Sequence, residues 1–490
     1  MKSSSIKKVL LAVPPTGLYI REDRCQTPIE HMTTVALRPP IELLYAAACF
    51  EAEGASCRLV DYPGEQLELH HLLADIDKME PDLVILSITT PGIEDDMAVA
   101  AAIKAHRPDC IVAAKGAHFN TLDVESLRRW QALDLVFRGE LEAACREMAQ
   151  GKALHEIAGI SFRKALIEPE ALAEKAEAEI IDDSIIRTPA RAFIEDLDSL
   201  PFPARQLANN ELYRRPDTGA LQTTVVANRG CPFSCVYCLA NQVAGRKHRI
   251  RSPKNLVDEL QECVEKYGIR DFLFRSDLFT ARKEWVLEVC AEIERRGLDI
   301  DWSCNSRVDT IDPDMLTAMK RAGCWIIAFG IESGSQEMLD KIGKKTDLSK
   351  AREALRMTRK AGILSSVYFM VGLPWDTPES LAANEKFARE IDPDIMEVFY
   401  VYPFPGTPLY EEAVRLGLLE AGSIPKAAYD GPAMAALEMS REELMEARNH
   451  ALKNFYLQPR VILRTLARSR SFRELWNYLR YGLRQLKEFL

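Results

Sequence analysis

The sequence predicts an α/β protein in three parts: an N-terminal doubly wound (Rossmann-like) domain, a partial (β/α)6 barrel of the TIM type and a helical C-terminal region. Three observations support this fold class. Strand and helix patterns alternate over about the first 160 residues, six strand–helix repeats follow, and the last part shows helical patterns. A chain of 490 residues is also too long for one compact domain. We place the parts at residues 1–163, 218–415 and 416–490, with a linker at 164–217.

The composition is that of an ordinary globular protein, with 47% apolar and 28% charged residues. It excludes a disordered, collagen-like or disulfide-stapled chain. No uncharged stretch reaches the roughly 18 residues that span a bilayer, and the apolar run at residues 9–15 is too short for a signal peptide. We therefore expect a cytoplasmic protein. The net charge of −10 argues against general nucleic-acid binding.

Five strands and three helices are predicted in the first domain. The strands are at 8–13, 57–61, 83–88, 110–114 and 133–137, and the helices are at 40–54, 67–79 and 95–106. Such alternation gives a parallel sheet, which binds ligands at the carboxyl ends of its strands. Small residues and glycines there would let a large flat ligand approach the backbone, although ordinary turn chemistry explains them equally well. The candidate residues at this edge are Pro14, Ser87, Thr89, Gly116, His118, Gly139 and Glu140.

The second domain repeats a strand and a helix. It follows an Ala/Glu-rich and then proline-rich stretch, which we interpret as a surface linker. Most of the predicted helices end at a glycine. Six such units suit a partial barrel, and the chemistry of barrels belongs to the loops after the strands. The six predicted strands are at 221–227, 271–275, 300–305, 325–331, 365–371 and 395–401.

The loop after the first of these strands carries three closely spaced cysteines, Cys231, Cys235 and Cys238. Thiolates are the usual ligands of iron–sulfur clusters, and a complete set has four. Three thiolates would leave one iron open to a substrate or cofactor. A zinc site is the alternative, but it needs a fourth Cys or His close by. The candidate for that position, His248, lies among basic residues that disfavour a dication.

Cys231, Cys235, Tyr237 and Cys238 resemble the signature of the radical S-adenosylmethionine (SAM) superfamily, which has an aromatic residue before its last cysteine. Together with the further matching stretches given below, these residues look like the branch that carries an N-terminal cobalamin-binding domain. That branch includes the anaerobic Mg-protoporphyrin oxidative cyclase and the hopanoid and antibiotic methylases. The resemblance covers about residues 6–415, and its further matching stretches are 276–280, 307, 330–335, 372–374 and 403–408.

The resemblance implies three cofactors: a [4Fe–4S] cluster on the three cysteines, SAM and cobalamin. The cluster would cleave SAM to methionine and a 5′-deoxyadenosyl radical. Cobalamin would lie at the strand-end edge of the first domain, with His118 at its tail. The usual histidine motif of the family is replaced by Pro14-Pro15-Thr16-Gly17, so we expect cobalamin without a histidine ligand. The SAM contacts would be the Tyr237 backbone, Asp277, Arg307, Glu332 and Ser333.

The first reaction that this resemblance implies is methyl transfer to an unactivated carbon or phosphorus centre. The substrate would be a secondary-metabolite or lipid-like small molecule. Oxidative cyclisation or rearrangement is the second. An electron donor such as flavodoxin or ferredoxin would be a partner. A corrinoid or iron–sulfur electron carrier is a candidate from another class. A tRNA methylthiotransferase is a third, and it would need three more cluster cysteines in the first domain.

The C-terminal region is basic. Residues 453–490 carry nine Lys/Arg and two Asp/Glu, a balance of +7, which leaves −17 for the rest of the chain. A basic amphipathic helix with Trp and Phe is predicted at 460–490. Such a helix is typical of a membrane-surface or partner contact. A helical cap attracted to the acidic body explains the pattern slightly better, and both interpretations stay open.

Overall fold

A computed structural model describes residues 6–22, 25–28, 37–168, 178–425, 431–469, 474, 476 and 477. These residues form two compact units. The first unit contains the described residues up to Leu212 together with residues 239–245. The second contains residues 213–238 and the described residues from 246 onward.

The first unit has ten strands and five α-helices in the described part of the chain, besides short 3-10 helices and one short α-helix from residues 239–245. Its strands are β1 (Lys8–Val13), β2 (Tyr19–Glu22), β3 (Cys25–Pro28), β4 (Ser56–Asp61), β5 (Leu83–Ser87), β6 (Ile111–Lys115), β7 (Leu135–Phe137), β8 (Ile160–Arg163), β9 (Glu179–Ile180) and β10 (Ile185–Arg187). Its helices are α1 (Ile41–Ala52), α2 (Leu69–Met79), α3 (Ile93–His106), α4 (Phe119–Arg129) and α5 (Glu142–Ala149).

Eight of these strands form one sheet in the order β4-β1-β5-β6-β7-β8-β10-β9. The strands from β4 to β7 in this order are parallel, which confirms the doubly wound fold. Strands β8, β10 and β9 continue the sheet in antiparallel fashion. Strands β5 and β6 are buried along their whole length, as expected of central parallel strands.

The region that we assigned to a linker contributes to the first unit. Strands β9 and β10 lie between residues 164 and 217, and they extend the sheet of that unit. They have only two and three residues. Strands this short carry no readable alternation of polar and apolar residues, so no sequence pattern indicates them.

The second unit begins with a strand and ends in helices. Its strands are β11 (Gln222–Val226), β12 (Asn228–Arg229), β13 (Arg249–Ile250), β14 (Asp271–Arg275), β15 (Asp301–Ser306), β16 (Cys324–Glu332), β17 (Leu364–Val371) and β18 (Ile395–Tyr400). The helices that follow in the chain are α6 (Ala240–Val243), which groups with the first unit, α7 (Pro253–Tyr267), α8 (Lys283–Arg295), α9 (Pro313–Arg321), α10 (Gln336–Lys341), α11 (Leu348–Lys360), α12 (Pro378–Ile391), α13 (Pro408–Arg415), α14 (Arg441–Tyr456) and α15 (Pro459–Ala467).

Six parallel strands make the sheet of the second unit, in the sequential order β11-β14-β15-β16-β17-β18. This confirms the predicted six-unit partial barrel. Helix starts are well specified: α7, α9 and α12 each begin with proline after a side-chain cap, as when Ser252 accepts the N–H of Asn255. The apolar faces of these helices pack on the sheet, and this core also buries Cys263, Cys290, Cys304 and Cys324.

The C-terminal region is helical as predicted over α13, α14 and α15. Val461 of α15 is buried in the core of the second unit, and Arg464 donates to Asp392 at 2.9 Å. Most of the helix predicted at 460–490 lies outside the described residues, which end at 469 apart from 474, 476 and 477. Within the part that is described, no helix combines the length and apolar character needed to cross a membrane.

Candidate active site

The three predicted cluster cysteines lie in one loop at the carboxyl end of β11. We call residues 230–238 the cysteine loop. The chain enters this loop from β12. That strand pairs with β13, so that Asn228 lies opposite Ile250 and Arg229 lies opposite Arg249. Cys231, Cys235 and Cys238 are all half-buried, and none of them forms a disulfide. The thiols are thus partly accessible while the chain around them is fixed.

Asp277 and Asn228 hold the start of the cysteine loop. The backbone N–H of Gly230 donates to the Asp277 carboxylate. The backbone N–H groups of Asp277 and Leu278 in turn donate to Asn228 Oδ1, at 3.0 and 3.3 Å. The structure therefore shows Asp277, a predicted SAM contact, bonded to the backbone that leads into Cys231.

A second set of contacts fixes the far part of the cysteine loop. Val236 N–H donates to the carbonyl of Ile342 at 3.0 Å, and its own carbonyl accepts from Leu409 N–H at 3.0 Å. Arg307 donates to the Lys344 carbonyl at 2.8 Å, and its guanidinium lies 3.7 Å from the centre of the Phe233 ring. Arg307 thus joins the loop after α10 to the cysteine loop.

Arg307 also forms a two-point ion pair with Asp309, with both N–O distances at 2.8 Å. This geometry is the fork that guanidinium groups make with carboxylates. The side chain predicted to bind the carboxylate of SAM is therefore already bound to a carboxylate of the protein.

Glu332, at the end of β16, is the centre of a buried polar cluster. Its Oε1 accepts from the Tyr237 hydroxyl at 2.9 Å and from Lys344 Nζ at 2.7 Å. Glu332 has φ of +70°, a left-handed conformation that is costly for a residue other than glycine. Backbone strain of this kind is concentrated at functional sites, and here it aims the carboxylate at the residues beside the cysteine loop.

Burial and charge set the protonation of this cluster. Burial raises the pKa of the Tyr237 hydroxyl well above its usual range, and the nearby Glu332 carboxylate raises it further. Tyr237 is therefore a hydrogen-bond donor at neutral pH. Burial also raises the pKa of the Cys235 thiol, while the Lys344 ammonium acts in the opposite direction. A thiolate at Cys235 thus depends on nearby positive charge, which Lys344 and Arg307 supply.

The thiols of the cysteine loop fit the ligand set of an iron–sulfur cluster. Among the described residues, no three Cys, His, Asp or Glu side chains are grouped as a mononuclear metal site would need. In a cluster the three sulfur atoms need not point at one metal ion, because each thiolate binds a different iron. Three accessible thiols on one pinned loop, with cations that favour their ionised form, meet that requirement.

Ser333, the other predicted SAM contact, is held by a residue that sequence reasoning missed. Its hydroxyl donates to Asn384 Oδ1 at 2.9 Å, and the N–H of Gly334 donates to the same atom at 2.6 Å. Asn384 lies on α12 and is buried. It fixes the turn after β16, and with it the position of Glu332.

Parallel pairing in the first unit brings the predicted strand-end residues to one edge of its sheet. Several already have structural partners in the protein. Thr89 N–H donates to Asp96 Oδ2 at 3.1 Å, the Gly139 N–H donates to Asn120 at 2.7 Å, and Glu140 accepts from the Ile194 N–H at 2.7 Å. Gly116 lies so close to the Ile88 carbonyl that a Cβ there would come within 2.7 Å of the oxygen.

Arg21 and Asp96 form a buried ion pair at this edge that the sequence did not reveal. The Arg21 guanidinium donates to Asp96 at 2.8 Å and to the carbonyl of Ser87 at 2.8 Å. Thr16, just after Pro14, accepts from the same guanidinium at 2.8 Å. The pair ties the loop after β1 to the end of β5. Because its members are 75 positions apart in the chain, no local motif announces it.

His118 differs from the other residues of this edge. The side chain is buried, yet neither ring nitrogen has a hydrogen-bond partner within the described structure. Burial lowers the pKa of His118 to about 4, so the ring is neutral at physiological pH. A buried polar group without a partner is costly. A ligand with polar atoms at this edge, such as a large cofactor, would satisfy it.

Comparison with known proteins agrees with this two-unit arrangement. The family model described as the B12 binding domain matches residues 33–149, and the one described as the radical SAM superfamily matches residues 225–388. An uncharacterized methyltransferase of Pyrococcus horikoshii is 28% identical over 471 residues, which cover 95% of this chain and 96% of that protein. The anaerobic magnesium-protoporphyrin IX monomethyl ester cyclase of Cereibacter sphaeroides is 26% identical and covers 92% and 71%.

A solved structure shares the whole fold. The radical S-adenosylmethionine methyltransferase TsrM of Kitasatospora setae, with cobalamin and a [4Fe-4S] cluster bound, superposes with a TM-score of 0.66 at 16% identity, over 98% of this chain and 99% of that one. A B12-binding domain followed by a radical SAM domain defines the class. The chain is therefore a cobalamin-dependent enzyme of the radical SAM superfamily.

Proposed function

We propose that this enzyme transfers a methyl group to an unactivated carbon, or phosphorus, centre of a secondary-metabolite or lipid-like molecule, using a [4Fe–4S] cluster on Cys231, Cys235 and Cys238. The observation that carries the proposal is the cysteine loop, pinned at both ends beside Glu332 and Lys344. The full-length similarity to a protein named as a methyltransferase supports it.

When bound, the cluster supplies the electron that cleaves SAM, and cobalamin supplies the methyl carrier. The protein's own part is binding and orientation. Lys344 and Glu332 offer opposite charges that match the carboxylate and ammonium groups in the methionine part of SAM. The Tyr237 hydroxyl orients the Glu332 carboxylate. Arg307 supports the cysteine loop through Phe233 and the carbonyl of Lys344.

The first unit would hold cobalamin at the carboxyl ends of its strands. His118 supplies a neutral imidazole that can hydrogen-bond a polar group of the cofactor's tail, since both ring nitrogens lack a partner in the described structure. The loop after β1 has no histidine, so cobalt would have no histidine ligand. Electrons would come from a small cytoplasmic donor such as flavodoxin or ferredoxin.

Oxidative cyclisation or rearrangement is the second candidate, and the similarity to the magnesium-protoporphyrin ester cyclase favours it. The two reactions leave different products from SAM. Methyl transfer through cobalamin converts one SAM to S-adenosylhomocysteine besides the SAM that yields 5′-deoxyadenosine. Cyclisation yields 5′-deoxyadenosine without S-adenosylhomocysteine.

The test is product analysis with SAM that carries a deuterated methyl group, against pools of lipids, porphyrins and peptides. Anaerobically reconstituted enzyme should place the deuterated methyl in one product and form both SAM-derived nucleosides. Cys235→Ala should lose the cluster and both products. Cys57→Ala, which removes another half-buried thiol from the first unit, should keep them. A full cluster in Cys235→Ala overturns the proposal, and cyclised product without S-adenosylhomocysteine selects the second candidate.

A further inference from the structure

The exposed apolar side chains of the second unit are concentrated in its C-terminal helices. Seven large apolar residues are exposed among the described residues, and four of them lie between positions 457 and 476. The exposed fractions are 41% for Leu457, 42% for Ile462, 66% for Leu463 and 60% for Trp476. Isolated exposed leucines are ordinary, but a local concentration of this kind marks an interaction surface.

Helix α15 is anchored on one side and bare on the other. Val461 enters the core of the unit, and Arg464 and Arg468 pair with Asp392 and Asp394. Ile462 and Leu463 point away from that anchored side and stay exposed. The side chain of Asn477 donates to the Asp217 carbonyl at 2.8 Å, which fixes the backbone beside the exposed Trp476.

The positive charge around these residues indicates what kind of partner they would bind. Residues 447–473 contain seven Lys/Arg and no Asp or Glu. Lys453 is exposed, and the Arg460 side chain is about half exposed. Two copies of such a surface would repel each other, which disfavours self-association through it. Apolar side chains beside this excess of positive charge, which Asp392 and Asp394 offset only in part, suit an anionic lipid bilayer.

We propose that Leu457, Ile462, Leu463 and Trp476, with Lys453 and Arg460, form a surface that attaches the enzyme to an anionic membrane. We call these six residues the C-terminal apolar–basic face. The helix is then both a cap and a docking element, because its two sides serve different purposes. Attachment would favour lipid-like substrates within the proposed function, but vesicle binding itself does not depend on the reaction.

The experiment is co-sedimentation of the full chain with equimolar phosphatidylglycerol–phosphatidylcholine vesicles, against pure phosphatidylcholine vesicles. The intact protein should bind the anionic vesicles and release on addition of salt. The double variant Ile462→Ser, Leu463→Ser should bind at least about tenfold more weakly, because two side chains would no longer enter the bilayer. Arg460→Glu should weaken binding and make it less sensitive to salt.

The matched control is Leu437→Ser, which removes an exposed leucine of the same unit outside the C-terminal apolar–basic face and should leave vesicle binding unchanged. All substituted side chains are exposed, so each variant should keep the circular dichroism of the intact protein. The proposal is overturned if the intact protein does not bind anionic vesicles. It is also overturned if the double variant binds these vesicles as tightly as the intact protein. A concentration-dependent dimer that the double variant abolishes also overturns it, in favour of a second copy.

Discussion

Glu332 combines a left-handed backbone with a buried, hydrogen-bonded carboxylate. Its left-handed backbone costs about 1–3 kcal/mol in general terms, and two hydrogen bonds hold its carboxylate in place. The ammonium of Lys344 is the one charge-assisted partner of the two. Removing it would leave a buried carboxylate facing only a phenol, which is costly.

We expect Lys344→Met to weaken SAM binding by about tenfold or more, the equivalent of about 1.4 kcal/mol, because the ammonium that would pair with the carboxylate of SAM is removed. Lys344→Arg should restore part of the affinity. Equilibrium binding of SAM to reconstituted protein, at matched iron content, measures the effect. The control is Lys345→Met, an exposed neighbour that should bind as wild type does. Equal affinities for the two methionine variants would show that Lys344 plays no part.

At the same scale, the sequence predicts candidate residues where they belong to a continuous motif and gives no signal for those that do not. The spacing of the three cysteines and the resemblance around Glu332 pointed to this loop. Lys344 and Asn384 belong to no motif, because they meet Glu332 and Ser333 only after the chain has folded. Arg307 was identified, yet its partners in the structure are Asp309, two backbone carbonyls and Phe233.

Among the elements, the turn between β17 and α12 carries a titratable group in an unusual position. The buried Asp376 accepts the backbone N–H groups of Gly372 and Leu373, at 2.8 and 2.9 Å. Burial raises the pKa of Asp376 to about 6 in spite of these hydrogen bonds. A raised pKa in the folded state means that the proton binds more tightly to the folded chain. Protonation of Asp376 therefore stabilises the folded state fully at low pH, and this stabilisation is lost as the pH rises through about 6.

Asp376→Asn should therefore remove a pH dependence. Between about pH 4 and pH 6.5, wild-type stability should fall by about 2 kcal/mol relative to the variant, because most of the roughly two-unit rise in pKa, at 1.36 kcal/mol for each unit, takes effect in that range. Urea unfolding of the apoprotein, followed by tryptophan fluorescence, measures the difference. Glu379→Gln, an exposed neighbour, is the control and should track wild type. Parallel curves for wild type and Asp376→Asn would contradict the expectation.

Elements with strong periodicity were predictable, and short or nonlocal ones were not. Strands β1 and β14 occur at the predicted residues, 8–13 and 271–275, and helices α2 and α3 end at the predicted residues, 79 and 106. Helix α4 was missed because its sequence is largely polar. Strand β8 pairs with residues more than 20 positions away on both sides, and β9 and β10 are too short for a local pattern to indicate them.

For the whole molecule, each unit carries a candidate cofactor site of its own. The cysteine loop belongs to the second unit, and the edge with His118 belongs to the first. Losses of cluster and cobalamin should therefore be separable by substitution.

His118→Ala should lower the amount of cobalamin that the purified protein retains, because the tail loses a hydrogen-bond partner, and should leave the iron content unchanged. Cys235→Ala should do the reverse. In the wild-type Co(II) protein, paramagnetic resonance should show no nitrogen splitting from an axial imidazole. Splitting that disappears in His118→Ala would mean that this histidine ligates cobalt, and normal cobalamin content in that variant would remove His118 from the site.

The extension of the first sheet by β8, β10 and β9 has a practical consequence for anyone who wishes to express that unit alone. Unpaired strand edges invite pairing between molecules. A fragment limited to residues 33–149, the span of the family match, would lack β1, which pairs with both β4 and β5, and β8, which covers β7. Strands β4, β5 and β7 would each lose a hydrogen-bonded neighbour, and the fragment would aggregate through these unpaired edges. A fragment that stays in solution has to run from β1 through β10.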